Sequence, residues 1–214
     1  MPSRHNARAI RAYEKAGFAR SRLSPAGNAA RYREPDDADT IYMLRVLGAG
    51  AVAFSPLGDE APGTIAALLR ASYAGLLRTD PQWEDEAATW DAYDREVFDS
   101  PKTVGACLFL TRLAGRVAGF ASWDPRGRPA HGSIGHNCIL PELRRRGLGK
   151  LEIEEVLRRF QELGVRTAKV STCDHPFFVP AQRMYLSCGF RETRRGAWER
   201  DPSAALIRYE RRLP

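Results

Sequence analysis

The sequence lacks any apolar run that approaches the 18 or so residues needed to cross a membrane. Its first residues, Met-Pro-Ser-Arg-His-Asn, do not form the apolar region of a signal peptide. Its four cysteines lack the paired spacing of a zinc site or a disulfide framework. These absences predict a cytoplasmic protein with reduced thiols, no membrane partner and no metal site.

Lysine is also scarce, because only four of the 33 basic residues are lysines and the rest are arginines. The net charge is +7 and the isoelectric point is about 9.5. This charge is compatible with an arginine-rich nucleic-acid binder, but the arginines are spread along the chain. A solvated surface with one anion pocket explains them about as well, and we expect no nucleic-acid partner.

The stretch over residues 141–150, Pro-Glu-Leu-Arg-Arg-Arg-Gly-Leu-Gly-Lys, lies between an apolar run and an amphipathic one. Such a strand–turn–helix junction leaves the first helical N–H groups unpaired, and the helix dipole adds positive potential there. Gly147 and Gly149 let the backbone approach an anion closely, while the three arginines and Lys150 add charge-assisted donors. We interpret the stretch as a diphosphate site.

Two other phosphate-binding motifs fit this stretch less well. A P-loop needs a serine or threonine after its lysine, but Lys150 is followed by Leu151. The dinucleotide fingerprint needs three glycines, and only two are present. An exposed, basic helix start is the alternative to a diphosphate site.

A second pattern occupies residues 180–190, Pro-Ala-Gln-Arg-Met-Tyr-Leu-Ser-Cys-Gly-Phe. It predicts a short helix that begins at Pro180 and ends at Gly189, followed by a strand. Arg144-x-x-Gly-x-Gly after a strand, with Ala-x-x-x-Tyr-x-x-x-Gly-Phe downstream, resembles the GNAT superfamily of acetyl-CoA-dependent N-acetyltransferases. The resemblance covers residues 48–214. It implies an α/β (α+β) GNAT fold with a mixed, mostly antiparallel sheet, splayed at its central parallel pair and flanked by helices.

The resemblance also implies a reaction, in which an acetyl group moves from acetyl-CoA to a primary amine of a small molecule or peptide. The amine would attack directly in a ternary complex. The backbone of the splayed strand would pair with the pantetheine arm, and an N–H group there would hold the thioester oxygen. Tyr185 would protonate the CoA thiolate. The implied cofactor-binding residues are Ile139, Leu140, Arg144, Arg145, Arg146, Gly147, Leu148, Gly149 and Lys150.

The general base stays open, because the strand position that often holds a glutamate in this superfamily falls near Ser133. His131, His136, Asp174 and His175 are nearby candidates. His136 is the first choice, and a water relay is the alternative. The missing carboxylate keeps a second function open, a non-catalytic sensor or assembly domain that binds acetyl-CoA or CoA. Phe178 replaces an asparagine found in many relatives, which predicts a more apolar acceptor pocket.

Residues 1–47 repeat a pattern of the C-terminal region, as in a tandem repeat. Ala9, Tyr13, Gly17 and Phe18 match Ala181, Tyr185, Gly189 and Phe190. We expect the tail of a second, truncated GNAT domain, a helix plus a β-hairpin, before a complete domain over 48–214. Because a helix and a hairpin bury too little surface alone, the segment should dock on the complete domain or pair across a homodimer.

The remaining patterns predict strands over 51–57, 104–112, 116–123, 132–140, 166–172, 190–199 and 206–212. They predict helices over 62–77, 82–99 and 151–163. The second helix carries acidic and aromatic side chains between residues 83 and 94. By the resemblance this helix would help to wall the acceptor site, where its charge would attract a cationic amine. An exposed acidic face is the alternative.

Overall fold

The computed structural model describes residues 8, 19–20, 43–44, 52–58, 60–198 and 201–214, with main chain alone for 19–20, 43–44 and 201–203. The chain divides into two compact units, residues 1–51 and 52–214. In the first unit, Ala19–Arg20 pairs antiparallel with Met43–Leu44. Most of the predicted helix and hairpin over 1–47 lies outside the described residues, so the truncated second domain stays a prediction.

The second unit contains a seven-stranded mixed sheet. Its strands are β1 (Val52–Ser55), β2 (Leu108–Leu113), β3 (Arg116–Asp124), β4 (Gly132–Ile139), β5 (Thr167–Cys173), β6 (Arg191–Trp198) and β7 (Asp201–Arg212). Its α-helices are α1 (Thr64–Thr79), α2 (Glu84–Asp99), α3 (Leu148–Glu162) and α4 (Val179–Ser187). The strand order is β1-β2-β3-β4-β5-β7-β6.

Helices cover both faces of this sheet, because successive strand residues point to opposite sides. Leu108 and Leu110 of β2 pack in one core with residues of α1 and α2. Phe109, between them, packs in the other core with residues of α3 and α4. Among the described residues, no helix is both apolar enough and long enough to span a membrane.

Local backbone geometry sets three element boundaries in the second unit. The β2–β3 hairpin turns at Ala114 and Gly115, whose φ angles of 53° and 78° match the twist of the strands. Helix α3 begins at Leu148, three residues before its predicted start, because Gly147 (φ 82°) is the last non-helical residue. Strand β2 begins later than predicted, since Gly105–Cys107 forms a 3₁₀ turn.

The predicted fold is confirmed at the central parallel pair. Strands β4 and β5 pair in register only at Gly132↔Ala168 and Ser133↔Lys169, and beyond these pairs they separate. On the other side of β4, the Leu140 N–H donates to the Ala118 carbonyl at 2.9 Å. Ile139 is therefore in a non-hydrogen-bonded pair with β3, so that its own N–H and C=O face the gap. The gap exposes a short strand edge to a ligand.

A buried carboxylate from α2 caps the start of α1. Helix α1 has Gly63 at its N-cap and receives no cap from that residue. Asp94 is 3% exposed and accepts hydrogen bonds from the N–H groups of Gly63 (2.6 Å), Ile65 (2.8 Å) and Ala66 (3.2 Å). These bonds hold α2 against the start of α1.

Replacing Asp94 with alanine should therefore lower the free energy of unfolding by about 3 kcal/mol, because three N–H groups lose an ionised acceptor. Urea denaturation measures this loss. The control is Asp91→Ala one turn earlier, where an exposed Asp91–Arg70 ion pair should contribute little. Equal losses in the two variants would contradict the capping role.

Candidate active site

A cavity of about 710 Å³ lies where β4 ends and α3 begins. Its wall comes from α1, the end of β4, the loop over 141–147, the first turns of α3, and the segment over 177–187. The predicted diphosphate stretch and the separated edge of β4 therefore border the same space. This size suits a ligand larger than a single phosphate.

The start of α3 has the geometry of an anion site. No side chain caps it, and no described residue accepts a hydrogen bond from the N–H groups of Leu148, Gly149 or Lys150. Arg145 and Gly147 in the preceding loop have φ angles of 65° and 82°. Alternating left-handed residues turn backbone N–H groups toward one point, as in anion-binding nests. This arrangement fits a diphosphate group.

The four basic side chains of the stretch have different environments. Arg145 and Lys150 line the cavity. Lys150 also forms an ion pair on α3, with 3.6 Å between its Nζ and Oε1 of Glu154. Arg146 is exposed and is outside the cavity wall. Arg145 and Lys150 are thus the basic side chains of the stretch best placed for an anion at the helix start.

Arg144 lines the cavity but differs from the predicted phosphate donor. Its Nε donates to the carbonyl of Ile139 at 3.0 Å, and its Nη2 donates to the carbonyl of Ser72. Its guanidinium carbon also lies 5.9 Å from the centre of the Phe177 ring. Since the sequence distance to Ser72 is large, the motif gave no sign that Arg144 ties α1 to the end of β4.

Gly149 packs closely against α4 in addition to lining the cavity. A Cβ atom at this position would lie 2.9 Å from Sδ of Met184 in α4. At Gly147 a Cβ would meet nothing within 4 Å, but the positive φ would be strained for any other residue. The two glycines therefore serve different purposes.

Of the two strand residues predicted to meet the pantetheine arm, Ile139 has the suitable geometry. The N–H of Leu140 is already bonded to Ala118. The N–H of Ile139 faces the gap, while its carbonyl accepts hydrogen bonds from Arg144 (3.0 Å) and Ser72 (3.4 Å). Only the Ile139 N–H of this pair is placed to hold a carbonyl oxygen in the gap.

Tyr185 of α4 is buried, at 4% exposure, beside the cavity. Its hydroxyl oxygen accepts a hydrogen bond from Asn137 Nδ2 at 3.0 Å, and Asn137 lines the cavity. Burial raises the pKa of the Tyr185 hydroxyl to about 12, whereas the bond from Asn137 lowers it. Nearby Glu152, Cys188 and Tyr209 raise this pKa further. Tyr185 therefore keeps its proton at neutral pH.

Sequence reasoning missed Asn137, although its two-residue spacing from Ile139 places both on one face of β4.

None of the four candidate bases lines the cavity. The ring of His136 packs against Tyr93 of α2 at 4.8 Å between ring centres. Asp174 accepts a hydrogen bond from the Ala205 N–H at 2.8 Å, and His175 Nδ1 accepts one from the Phe177 N–H at 3.1 Å. His136 thus stays a prediction, on the opposite face of β4 from Asn137.

The acceptor-facing charge expected from α2 is missing from the cavity wall, since no acidic residue of this helix lines it. Asp94 caps α1, and Asp91 pairs with Arg70. Aromatic rings lie there instead: Tyr73 packs against Phe177 and Phe178, with centre distances of 5.4 and 5.9 Å. The cavity is therefore more apolar at this end, in agreement with the expectation for Phe178.

Glu152 supplies the carboxyl group found on the described cavity wall. It is 1% exposed on α3, and its Oε1 accepts a hydrogen bond from the Thr111 hydroxyl at 2.6 Å. Burial raises the pKa of Glu152 well above its ordinary value, and the bond from Thr111 only partly opposes this effect. A raised pKa means that the folded state binds the Glu152 proton more tightly than the unfolded state.

Stability should consequently fall as pH rises from about 4, the unfolded pKa, through the folded pKa of Glu152. The side chain of the variant Glu152→Gln does not titrate. In urea denaturation, its free energy of unfolding relative to wild type should therefore increase as pH rises. Glu155→Gln on the same helix is the opposite control, because Arg158 lowers the pKa of Glu155. That variant should lose stability at neutral pH, and the loss should vanish in acid. A difference in the free energy of unfolding between Glu152→Gln and wild type that does not change with pH would contradict a raised pKa at Glu152.

Comparison with known proteins agrees with this architecture. The chain has an α/β domain in which a separated parallel pair of strands lies beside an uncapped helix start. Residues 63–190, more than half of the chain, match the family described as the Acetyltransferase (GNAT) family. The chain therefore belongs to the GNAT acetyltransferase family. No curated protein sequence matches it.

Solved structures share the fold at low identity. A protein described as a GNAT-family acetyltransferase from Desulfovibrio desulfuricans has a TM-score of 0.61 and 18% identity, covering 76% of this chain and 99% of its own. A Bacillus subtilis acetyltransferase solved in complex with CoA has a TM-score of 0.53 and 16% identity, covering 77% and 100%. A structure described as a phosphinothricin N-acetyltransferase has a TM-score of 0.57 and 19% identity, covering 77% and 99%.

Proposed function

We propose that this protein transfers an acetyl group from acetyl-CoA to a primary amine of a small molecule or peptide, by direct attack in a ternary complex. The observation that carries the proposal is one cavity bordered by the uncapped start of α3, the free edge of β4 and Asn137, the partner of Tyr185. Family membership supports acetyl transfer. The Bacillus subtilis relative, solved with CoA, supports the donor.

The start of α3 would hold the donor. Backbone N–H groups of Leu148, Gly149 and Lys150 lack partners among the described residues and would bind the diphosphate, with Arg145 and Lys150 adding charge. Acetyl-CoA supplies an acetyl group activated as a thioester. The N–H of Ile139 would bind the thioester oxygen and favour charge developing on it.

Tyr185 would act as the general acid. Its hydroxyl is protonated at neutral pH, since burial raises its pKa to about 12. The ordinary pKa of a thiol is near 8.5, well below the value of about 12 for Tyr185, so a thiolate is a weaker base than the Tyr185 phenolate. Transfer from Tyr185 therefore needs the phenolate to be stabilised as it forms. A base is needed because the acceptor nitrogen must be uncharged when it attacks. His136 stays the first choice among the four candidates, and a water relay is the alternative.

Two assays test the proposal in sequence. Acetyl-CoA and CoA should each raise the melting temperature, because a ligand that binds only the folded state stabilises it. Thiol release from acetyl-CoA should then depend on an added amine from a panel of aliphatic, aromatic and peptide amines. A raised melting temperature without thiol release from any amine would favour the sensor or assembly function. No shift with either nucleotide would contradict both functions.

A further inference from the structure

Asn137 on β4 has a fixed hydrogen-bonding direction toward Tyr185. Its Nδ2 lies 3.3 Å from the carbonyl oxygen of Gly135 and 3.0 Å from Oη of Tyr185. Because a carbonyl can only accept, the side-chain amide must direct its NH₂ group toward both oxygens. Asn137 is therefore the donor and the tyrosine oxygen is the acceptor. The hydroxyl proton of Tyr185 has to point elsewhere.

That proton has no acceptor in the part of the chain that the structure describes. The hydrogen bond found there for Tyr185 Oη is the one donated by Asn137. Asn137 itself lines the cavity, and the buried Tyr185 hydroxyl lies within hydrogen-bonding distance of its side chain. A buried hydroxyl usually donates its proton to a partner. Here the proton is left available beside the proposed donor site.

We propose that Asn137 is a positioning residue that aims the Tyr185 proton at the departing sulfur and stabilises the phenolate left behind. The inference rests on the proposed function, in which Tyr185 is the acid. In this step the Tyr185 O–H bond breaks, an S–H bond forms, and negative charge moves to Oη. The acceptor nitrogen loses one proton when it forms the amide bond, and that proton restores Tyr185. No outside acid is consumed.

The contribution of Asn137 should increase along the reaction. A hydrogen bond to a charged oxygen is about twice as strong as one to a neutral oxygen. Asn137 therefore stabilises the state with a developing phenolate more than the starting state. An interaction that strengthens in this way raises kcat, whereas one that is equal in both states only improves binding.

The first test measures the acidity of residue 185 without turnover. A fluorinated tyrosine is incorporated at position 185 of the full chain, and its ionisation is followed by ¹⁹F NMR in the absence of donor. Asn137→Ala should raise the phenol pKa by about one unit. Asn137→Asp should raise it further, because a carboxylate repels the phenolate and accepts the hydroxyl proton. Equal pKa values in all three proteins would overturn the proposal.

The second test compares kcat and the KM for acetyl-CoA in the same variants. Asn137→Ala should lower kcat about tenfold with a KM within about twofold of wild type. Asn137→Asp should lose more, although aspartate has nearly the same shape as asparagine. If Asn137 only maintained the structure, Asn137→Ala would lower kcat more than Asn137→Asp, and that result would overturn the proposal. The two tests fail separately. A wild type that releases no thiol would reject the proposed function, whereas the NMR titration needs no turnover and still tests whether Asn137 lowers the pKa of Tyr185.

Discussion

Replacing Tyr185 with phenylalanine is expected to lower kcat for acetyl transfer about 100-fold, within the usual range for a general acid. The change removes one oxygen atom and leaves the ring in its core, where it packs against Phe190 and Tyr209. Binding of acetyl-CoA should change little, since the Tyr185 proton is needed by the departing thiolate and not by the bound thioester. Steady-state kinetics with the amine found in the panel gives kcat and KM separately.

The control for this experiment is Tyr209→Phe. Tyr209 is buried in the same core, 6.0 Å from Tyr185 between ring centres, and it is outside the cavity wall. The two substitutions remove the same atom from neighbouring sites. If Tyr185→Phe keeps the wild-type kcat, or if both variants lose it equally, Tyr185 is not the acid.

Replacing Gly147 with glutamate is expected to raise the dissociation constant for CoA about 100-fold. The space beside Gly147 is open, so the side chain itself fits. The new carboxylate would lie beside the unpaired N–H groups of α3 and repel a diphosphate at that position. Two like charges about 5 Å apart near a protein surface cost roughly 3 kcal/mol, or about two factors of ten in affinity. Isothermal titration with CoA measures the change.

The opposite end of α3 provides a matched control in Gly164. Gly164 also has a positive φ, 71°, and open space around it, and it does not line the cavity. Gly164→Glu therefore carries the same backbone strain and the same charge. It should bind CoA like wild type. Equal weakening in the two glycine variants would assign the effect to stability or net charge, and would contradict a diphosphate site at the start of α3.

The parts of the fold around the candidate site that were predicted correctly depend on neighbours in sequence. The junction between β4 and α3 follows from a strand, two glycines and an amphipathic run in order, because a helix start is a local structure. The parallel pairing of β4 with β5 follows from the helix between them. The order of these elements was therefore predictable from local sequence, and the opening of the sheet was implied by the family resemblance.

Other parts depend on contacts between distant segments. Arg144 was predicted to bind phosphate from its place in the motif, but its guanidinium reaches the Ser72 carbonyl, 72 residues away. Asp94 belonged to the acidic set that the resemblance placed beside the acceptor, whereas it caps α1 from 28 to 31 residues away. Local pattern cannot specify such partners. A missing cap at Gly63 was the one local sign that a distant carboxylate was needed.

Asn137 was also missed, because its role depends on a helix that follows it by 48 residues. The signal available was its place in β4, two residues before Ile139, since alternate residues of a strand share a face. The acidic set of α2 shows the converse. The resemblance implied that this helix walls the acceptor site, but none of its acidic residues lines the cavity; Asp94 caps α1 and Asp91 pairs with Arg70.

A structure of the protein with CoA bound tests the central claim most directly. The diphosphate should lie within hydrogen-bonding distance of the backbone N–H groups at residues 148–150, with the thiol end beside β4 near Asn137. A diphosphate bound elsewhere, with those N–H groups facing solvent or protein side chains, would contradict the account.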